Sequence, residues 1–200
     1  MYGMENSMTL NTHPILITGR HVLLRDRLPT DVDAFLRWQI QGQWRLLDAP
    51  WGGVRTTYTE AEEAQYRQRF LEELVKDLPS PRKRAVITLL DERPVGWVIR
   101  YGEERFPDTW MIGIDICEDE HLDRGLGTKA LRLWVDYLFT NSSIHRIGLD
   151  TWSFNPRMMR VAEKLGFTPE GAQREVLQWQ NQWLDFIHYG MLREEWEKRK

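Results

Sequence analysis

The sequence predicts an α/β (α+β) fold: a central mixed, twisted sheet of about seven strands with a splayed parallel pair, flanked by about four helices. Three observations carry this expectation. The middle of the chain reads as three strands, a helix, a strand and a helix, so the strands on either side of the central helix run parallel. Residues 127–139 place Leu131, Trp134, Val135 and Leu138 at helical spacing. Residues 84–90, 95–100 and 110–116 read as short strands, the first two joined by the turn 91–94, and form an antiparallel meander.

The elements follow in order. Residues 1–14 are polar and expected to be loose. Residues 21–27 read as the first strand, and Pro29-Thr30-Asp31 opens a helix to about residue 41 that buries Phe35 and Trp38. Residues 48–53 carry turn formers and read as a loop. A second helix starts at Thr59, whose hydroxyl caps it while Glu62 reaches back. It runs to about residue 76 and stops before Pro79. After the meander and the loop 118–124 comes the central helix, then a strand at 145–151. A helix at 155–165 ends on Gly166 in the left-handed cap position. Two late strands fall near 171–179 and 184–192, and 193–200 ends as a short helix.

A chain of 200 residues fits one domain, expected over 15–200. With 28% charged residues and a mean hydropathy of -0.55, no apolar run reaches the roughly 20 residues of a membrane helix. No membrane association is expected. A formal charge of -3 gives no general attraction to nucleic acid, so none is expected as a partner. The single cysteine, Cys117, excludes an intrachain disulfide, and the first residues lack a secretory pattern, which together predict a cytoplasmic location. His121 and His145 have no ligand spacing with other histidines or cysteine, so no metal is expected.

The segment Asp123-Arg124-Gly125-Leu126-Gly127-Thr128-Lys129 joins a strand to a helix, where backbone N–H groups lack intrahelical partners and an anion can supply them. Glycines at 125 and 127 let the main chain approach a diphosphate, and Arg124 and Lys129 add charge. The spacing is neither that of a P-loop nor that of the three-glycine dinucleotide fingerprint, which argues against nucleotide hydrolysis and hydride transfer. By itself such a turn is weak evidence.

Four runs in this region occur together: Gly113-Ile114-Asp115; Arg124-Gly125-Leu126-Gly127-Thr128-Lys129-Ala130-Leu131; Asn155 with Arg157; and Ala162-Glu163-Lys164-Leu165-Gly166-Phe167. With them, residues 110–167 resemble the acetyl-CoA-binding core of the GCN5-related N-acetyltransferases (GNAT). The early Val22-Leu23-Leu24-Arg25 and the helix from Asp31 to Trp38 resemble the branch that acetylates ribosomal-protein N-termini. Gly-Ile-Asp and Leu-Asp-Thr-Trp-Ser-Phe-Asn are closer to aminoglycoside 6'-N-acetyltransferases. Two positions depart from the family pattern. Leu122 stands where the family usually has Gln or Arg, and Ala162 stands where many members carry a tyrosine that protonates the departing thiolate.

The resemblance implies acetyl-CoA as co-substrate, with no metal, and direct transfer to an amine of a small molecule or a protein N-terminus. It implies coenzyme contacts from Ile116, Cys117, Leu122, Asp123, Arg124, Gly125, Leu126, Gly127, Thr128 and Asn155. An alkylammonium cannot attack until it loses a proton, so the site needs a carboxylate, and Asp115 and Asp150 at the ends of parallel strands are the candidates. Each has a purely structural alternative as a turn cap. Asp115 is expected to face away from the row Ile112, Ile114, Ile116. Trp38, Trp51 and Trp152 are candidate walls for the acceptor, since indole faces suit a cation. A homodimer is a family-level expectation. A non-catalytic acyl-CoA sensor is the alternative function, and Ala162 is what favours it.

Overall fold

The computed structural model describes residues 15–47, 51, 55–76, 78–102 and 104–200. The expected loose segment 1–14 and the turn at 48–53, apart from Trp51, lie outside the described residues. The elements are β1 (Ile15–Thr18), β2 (Leu23–Arg25), α1 (Val32–Trp38), α2 (Glu60–Leu74), β3 (Arg84–Thr88), β4 (Pro94–Tyr101) and β5 (Thr109–Ile116). They continue as α3 (Leu126–Thr140), β6 (Arg146–Trp152), α4 (Pro156–Leu165), β7 (Thr168–Trp179), β8 (Gln182–Leu192) and α5 (Arg193–Glu197). Among the described residues these form one eight-stranded sheet in the order β1-β2-β3-β4-β5-β6-β8-β7.

The additional strand is β1. Gly19 N–H donates to the Val22 carbonyl at 2.9 Å, and this turn folds Ile15–Thr18 back antiparallel on β2. A four-residue edge strand is defined by its pairing rather than by a pattern of its own, so the sequence showed one strand where there are two. Helix α1 is shorter than expected: it ends at Trp38, and Gly42 follows at φ 102. Asp31 is drawn into an ion pair. Its carboxylate takes Arg25 Nη1 and Nη2 at 2.7 and 2.8 Å, with both side chains 2% exposed.

Elsewhere local chemistry and structure agree. Glu62 N–H donates to Thr59 Oγ1 at 3.3 Å and Thr59 N–H donates to Glu62 Oε2 at 2.9 Å, closing the expected capping box on α2. Gly166 caps α4 at φ 85. Helix α3 buries Leu126, Ala130, Leu131, Trp134, Val135, Leu138 and Phe139. Burial of such a stripe is the dominant favourable contribution to its folding.

The sheet separates two apolar layers. On one face α3 and α4 cover Ile87, Val98, Ile112, Ile147 and Leu149. On the other, α1 and α2 cover Val86 and Cys117 with Phe35, Trp38 and Phe70, and Trp97 packs against them. Among the described residues no helix is long and apolar enough to cross a membrane.

One irregularity positions the site. Parallel strands β5 and β6 pair only at Thr109↔Arg146, Trp110↔Ile147 and Met111↔Gly148. Beyond Met111, β5 stays on β4 through Ile116↔Gly96, while β6 stays on β8 through Trp152↔Phe186. The two strands part toward their carboxyl ends, and a ligand can pass from one face of the sheet to the other.

Candidate active site

The loop ahead of α3 forms one wall of this opening. Asp123 and Gly125 adopt left-handed backbone at φ 57 and φ 71. The Lys129 N–H reaches the Gly125 carbonyl at 3.3 Å, so the amides of the first turn of α3 precede any i−4 partner within the helix. A Cβ built on Gly125 meets nothing within 4 Å, so it would project into open space. At Gly127 a Cβ would lie 3.7 Å from Ile116, an ordinary contact. Here glycine is needed for conformation and access at 125, and less so at 127.

A cleft of about 500 Å³ runs from this loop through the parting. Leu122, Asp123, Gly125, Leu126, Gly127 and Thr128 line it with Ile116 and Asn155, so the geometry brings these expected coenzyme contacts together. Arg124 is exposed beside the lining residues. Asn155 Oδ1 accepts from Met158 N–H at 3.1 Å as the cap of α4, and its Nδ2 donates to the Leu47 carbonyl at 3.3 Å. Cys117 is elsewhere. It is 2% exposed among the aromatic residues under α1 and α2, and its N–H donates to the Val95 carbonyl at 2.8 Å. Burial pushes its thiol pKa strongly upward, so the side chain is an inert packing group outside the cleft lining.

Helix α4 turns a cationic face to the cleft through Arg157, Arg160 and Lys164. Arg157 Nη2 donates to Asp123 Oδ2 at 2.7 Å, which ties helix to loop. Ala162 is fully buried in the apolar layer that α3 and α4 form against the sheet. The cleft-lining side chains of α4 are therefore Arg157, Met158, Arg160, Val161 and Lys164, none of them a proton donor of carboxylic or phenolic type.

Two carboxylates reach the cleft from the parted strands. Ile112, Ile114 and Ile116 pack in the α3 layer, so alternation turns Gly113 and Asp115 to the α1–α2 face, as expected. On β6, Ile147 and Leu149 enter the same apolar layer and Asp150 and Trp152 point the other way. His188, which the sequence did not single out, stands opposite Asp150 in the antiparallel ladder, and its Nδ1 lies 2.8 Å from Asp150 Oδ1. Its ring packs edge-on to Phe186 at 5.0 Å.

The three tryptophans part company. Trp152 lines the cleft and contacts Trp51 at 4.5 Å and Phe186 at 4.7 Å, and Trp51 also touches Phe154 and Trp179. Trp38 lies outside this wall: it is 1% exposed in the core, with its Nε1 donating to Glu118 Oε1 at 2.9 Å. Two further nitrogens lie on the cleft. Trp44 Nε1 and His121 Nε2 are buried with no hydrogen-bond partner among the described residues; His121 Nε2 lies 3.1 Å from Glu120 Oε1 without hydrogen-bond alignment. Such orphaned groups fit a cleft that is completed by a polar ligand. No group of three His, Cys, Asp or Glu side chains that could hold a metal occurs among the described residues.

The cleft between the parted parallel strands thus joins a helix N-terminal turn with cationic neighbours to two carboxylates on the far face. The chain belongs to the GNAT acetyltransferases, whose domain model matches residues 21–168, and it is an acetyl-CoA-dependent acyltransferase. It is 32% identical over 173 residues to the probable N-acetyltransferase YjcK of Bacillus subtilis (strain 168), covering 85% of this chain and 93% of that one. It is 27% identical to the aminoglycoside N(6')-acetyltransferase type 1 of Klebsiella pneumoniae, covering 78% and 80%. The spermidine N-acetyltransferase of Vibrio cholerae, in complex with CoA and spermine, shares the fold with a TM-score of 0.67 at 18% identity, over 88% and 98% of the two chains.

Proposed function

We propose that the enzyme moves the acetyl group of acetyl-CoA directly to a primary amine of a small cationic molecule, or of a protein N-terminus, in a ternary complex. The observation that carries this reading is the cleft through the β5–β6 parting, with the anion-binding turn on the α3 side and Asp115 and Asp150 on the α1–α2 side. The first-turn amides of α3 would receive the diphosphate, and Arg157, Arg160 and Lys164 would balance its charge. The ammonium of the acceptor would sit against Asp115 or the Asp150–His188 pair and lose its proton there. The free amine attacks the thioester carbon, the C–N bond forms, the nitrogen releases a second proton to solvent, the C–S bond breaks, and coenzyme A departs as thiolate. With no acidic group on the cleft face of α4, that thiolate takes its proton from solvent, which is reasonable for a group that ionises near pH 8.5.

Trp152 and Phe186 on the cleft beside two carboxylates, with Trp51 packed on Trp152, support a small cationic acceptor over a peptide. The aminoglycoside and spermidine enzymes above act on acceptors of that character. A cytoplasmic setting is supported by the lone buried Cys117, and a homodimer enters the proposal only as the family-level expectation. Thiol release from acetyl-CoA, followed with polyamines, aminoglycosides and short peptides, tests the reading. Turnover is expected with at least one cationic small amine. Tight coenzyme binding without turnover on any amine would overturn it.

A further inference from the structure

A second cavity of about 400 Å³ lies on the α1–α2 face, over β3 and β4. Its floor is Val86, Trp97 and Ile99, and Phe35, Tyr66 and Phe70 wall it. The rings are ordered: Phe35 stacks on Trp97 at 5.6 Å and meets Phe70 at 5.3 Å, and Tyr66 stacks on Phe70 at 6.4 Å. A flat apolar body suits such walls.

The rim has the opposite polarity to the acceptor side of the cleft. Arg27, Arg69 and Arg84 line it together with one carboxylate, Glu73. Glu73 Oε2 takes Arg27 at 2.6 Å and lies 3.5 Å from Arg84, and the Arg27 bond holds its carboxyl below the usual range, so it stays ionised. Burial pushes Tyr66 up to about 12, so its phenol adds no negative charge at neutral pH. Three guanidinium groups against one carboxylate leave an excess of positive charge that repels an ammonium and attracts an anion.

We propose that this cavity is an accessory site for a small aromatic carboxylate, its ring between Trp97, Tyr66 and Phe70 and its anionic group on Arg69 and Arg84. The site is separate from the coenzyme and acceptor positions yet in contact with them. Ile99 lines both cavities, Trp97 packs edge-on to Trp44 at 4.8 Å, and Trp97 pairs with Asp115 across β4 and β5. An occupant therefore bears on the wall of the cleft without entering it.

Isothermal titration of the full chain with naphthalene-2-carboxylate tests this, with naphthalene-2-carboxamide as the uncharged partner of the same shape. Saturable binding at one site is expected, with the carboxamide roughly tenfold weaker. Arg69 and Arg84 are exposed, so the Arg69→Gln/Arg84→Gln double variant should keep its fold by circular dichroism and lose the preference for the acid. The proposal is overturned by no saturation at millimolar ligand, by equal affinity for acid and amide, by an unchanged preference in the double variant, or by displacement with acetyl-CoA. Coenzyme affinity measured on the same samples is an independent readout. Its loss would count against the proposed function and leave the accessory site standing.

Discussion

At Asp150 the carboxylate is held 2.8 Å from His188 Nδ1, which gives it a partner that can share or pass on a proton. Asp150→Asn is expected to lower kcat by about a hundredfold while acetyl-CoA affinity, read by calorimetry, stays within error. His188→Ala should lower kcat in the same direction, and the double variant should fall well short of the product of the two losses, since the residues act as a unit. Additive losses would separate His188 from the proton path. The Arg25–Asp31 pair is a different kind of charge. Both side chains are 2% exposed, so Asp31→Ala strands a guanidinium in the core. The expected cost is about 3–5 kcal/mol in urea unfolding, with the m-value unchanged. Asp150 was legible at this scale because a polar residue ends an apolar strand. Its partner was not, because 38 residues separate them and no local pattern announces the register.

Among the elements, α2 shows how a local signal becomes a measurable property. Glu62 accepts from the Thr59 backbone N–H first, then from Arg55 and the Thr59 hydroxyl, and these hold its pKa at about 2, below the ordinary 4.5. Because the folded value is depressed, its contribution to stability is present above pH 4.5 and is lost as pH falls toward about 2. Helix content by circular dichroism should decline over that window, and Glu62→Gln should flatten that part of the profile. Helix α3 is anchored by its buried stripe instead. Trp134 is fully buried and its Nε1 donates to the Ile99 carbonyl at 3.1 Å, so Trp134→Ala should cost about 3–5 kcal/mol of unfolding free energy. The element ends at Thr59 and Gly166 follow from capping chemistry and could be read directly. β1 could not, because a turn at Gly19 sets it, and α1 stops at Trp38, short of the expected end.

For the whole molecule, the proposed function puts the coenzyme on the turn ahead of α3, a ligand bound by the folded state alone, so occupancy should stabilise the fold. At a hundred times Kd, acetyl-CoA adds about 2.7 kcal/mol, and the melting temperature should rise by roughly 5–10 °C. Gly125→Val places a branched side chain where the Cβ meets only open space, in the path of the diphosphate. It also forces left-handed backbone at φ 71 on a β-branched residue. Its expected signature is a lost thermal shift together with a weakened coenzyme affinity. A full shift in this variant would remove the turn from the binding site.

Apart from β1, the succession of strands and helices, the central crossover, the two caps and the glycine turn ahead of α3 were determined by the sequence alone, because periodicity, glycine placement and capping residues act over a few neighbours. The tertiary structure decided the rest. It sent Cys117 into the core, placed Trp152 on the cleft with Trp51 packed against it, set His188 on Asp150, and parted β5 from β6 after three pairs. Those outcomes depend on strand register and on competition for burial between distant segments, and both are settled only when the sheet closes.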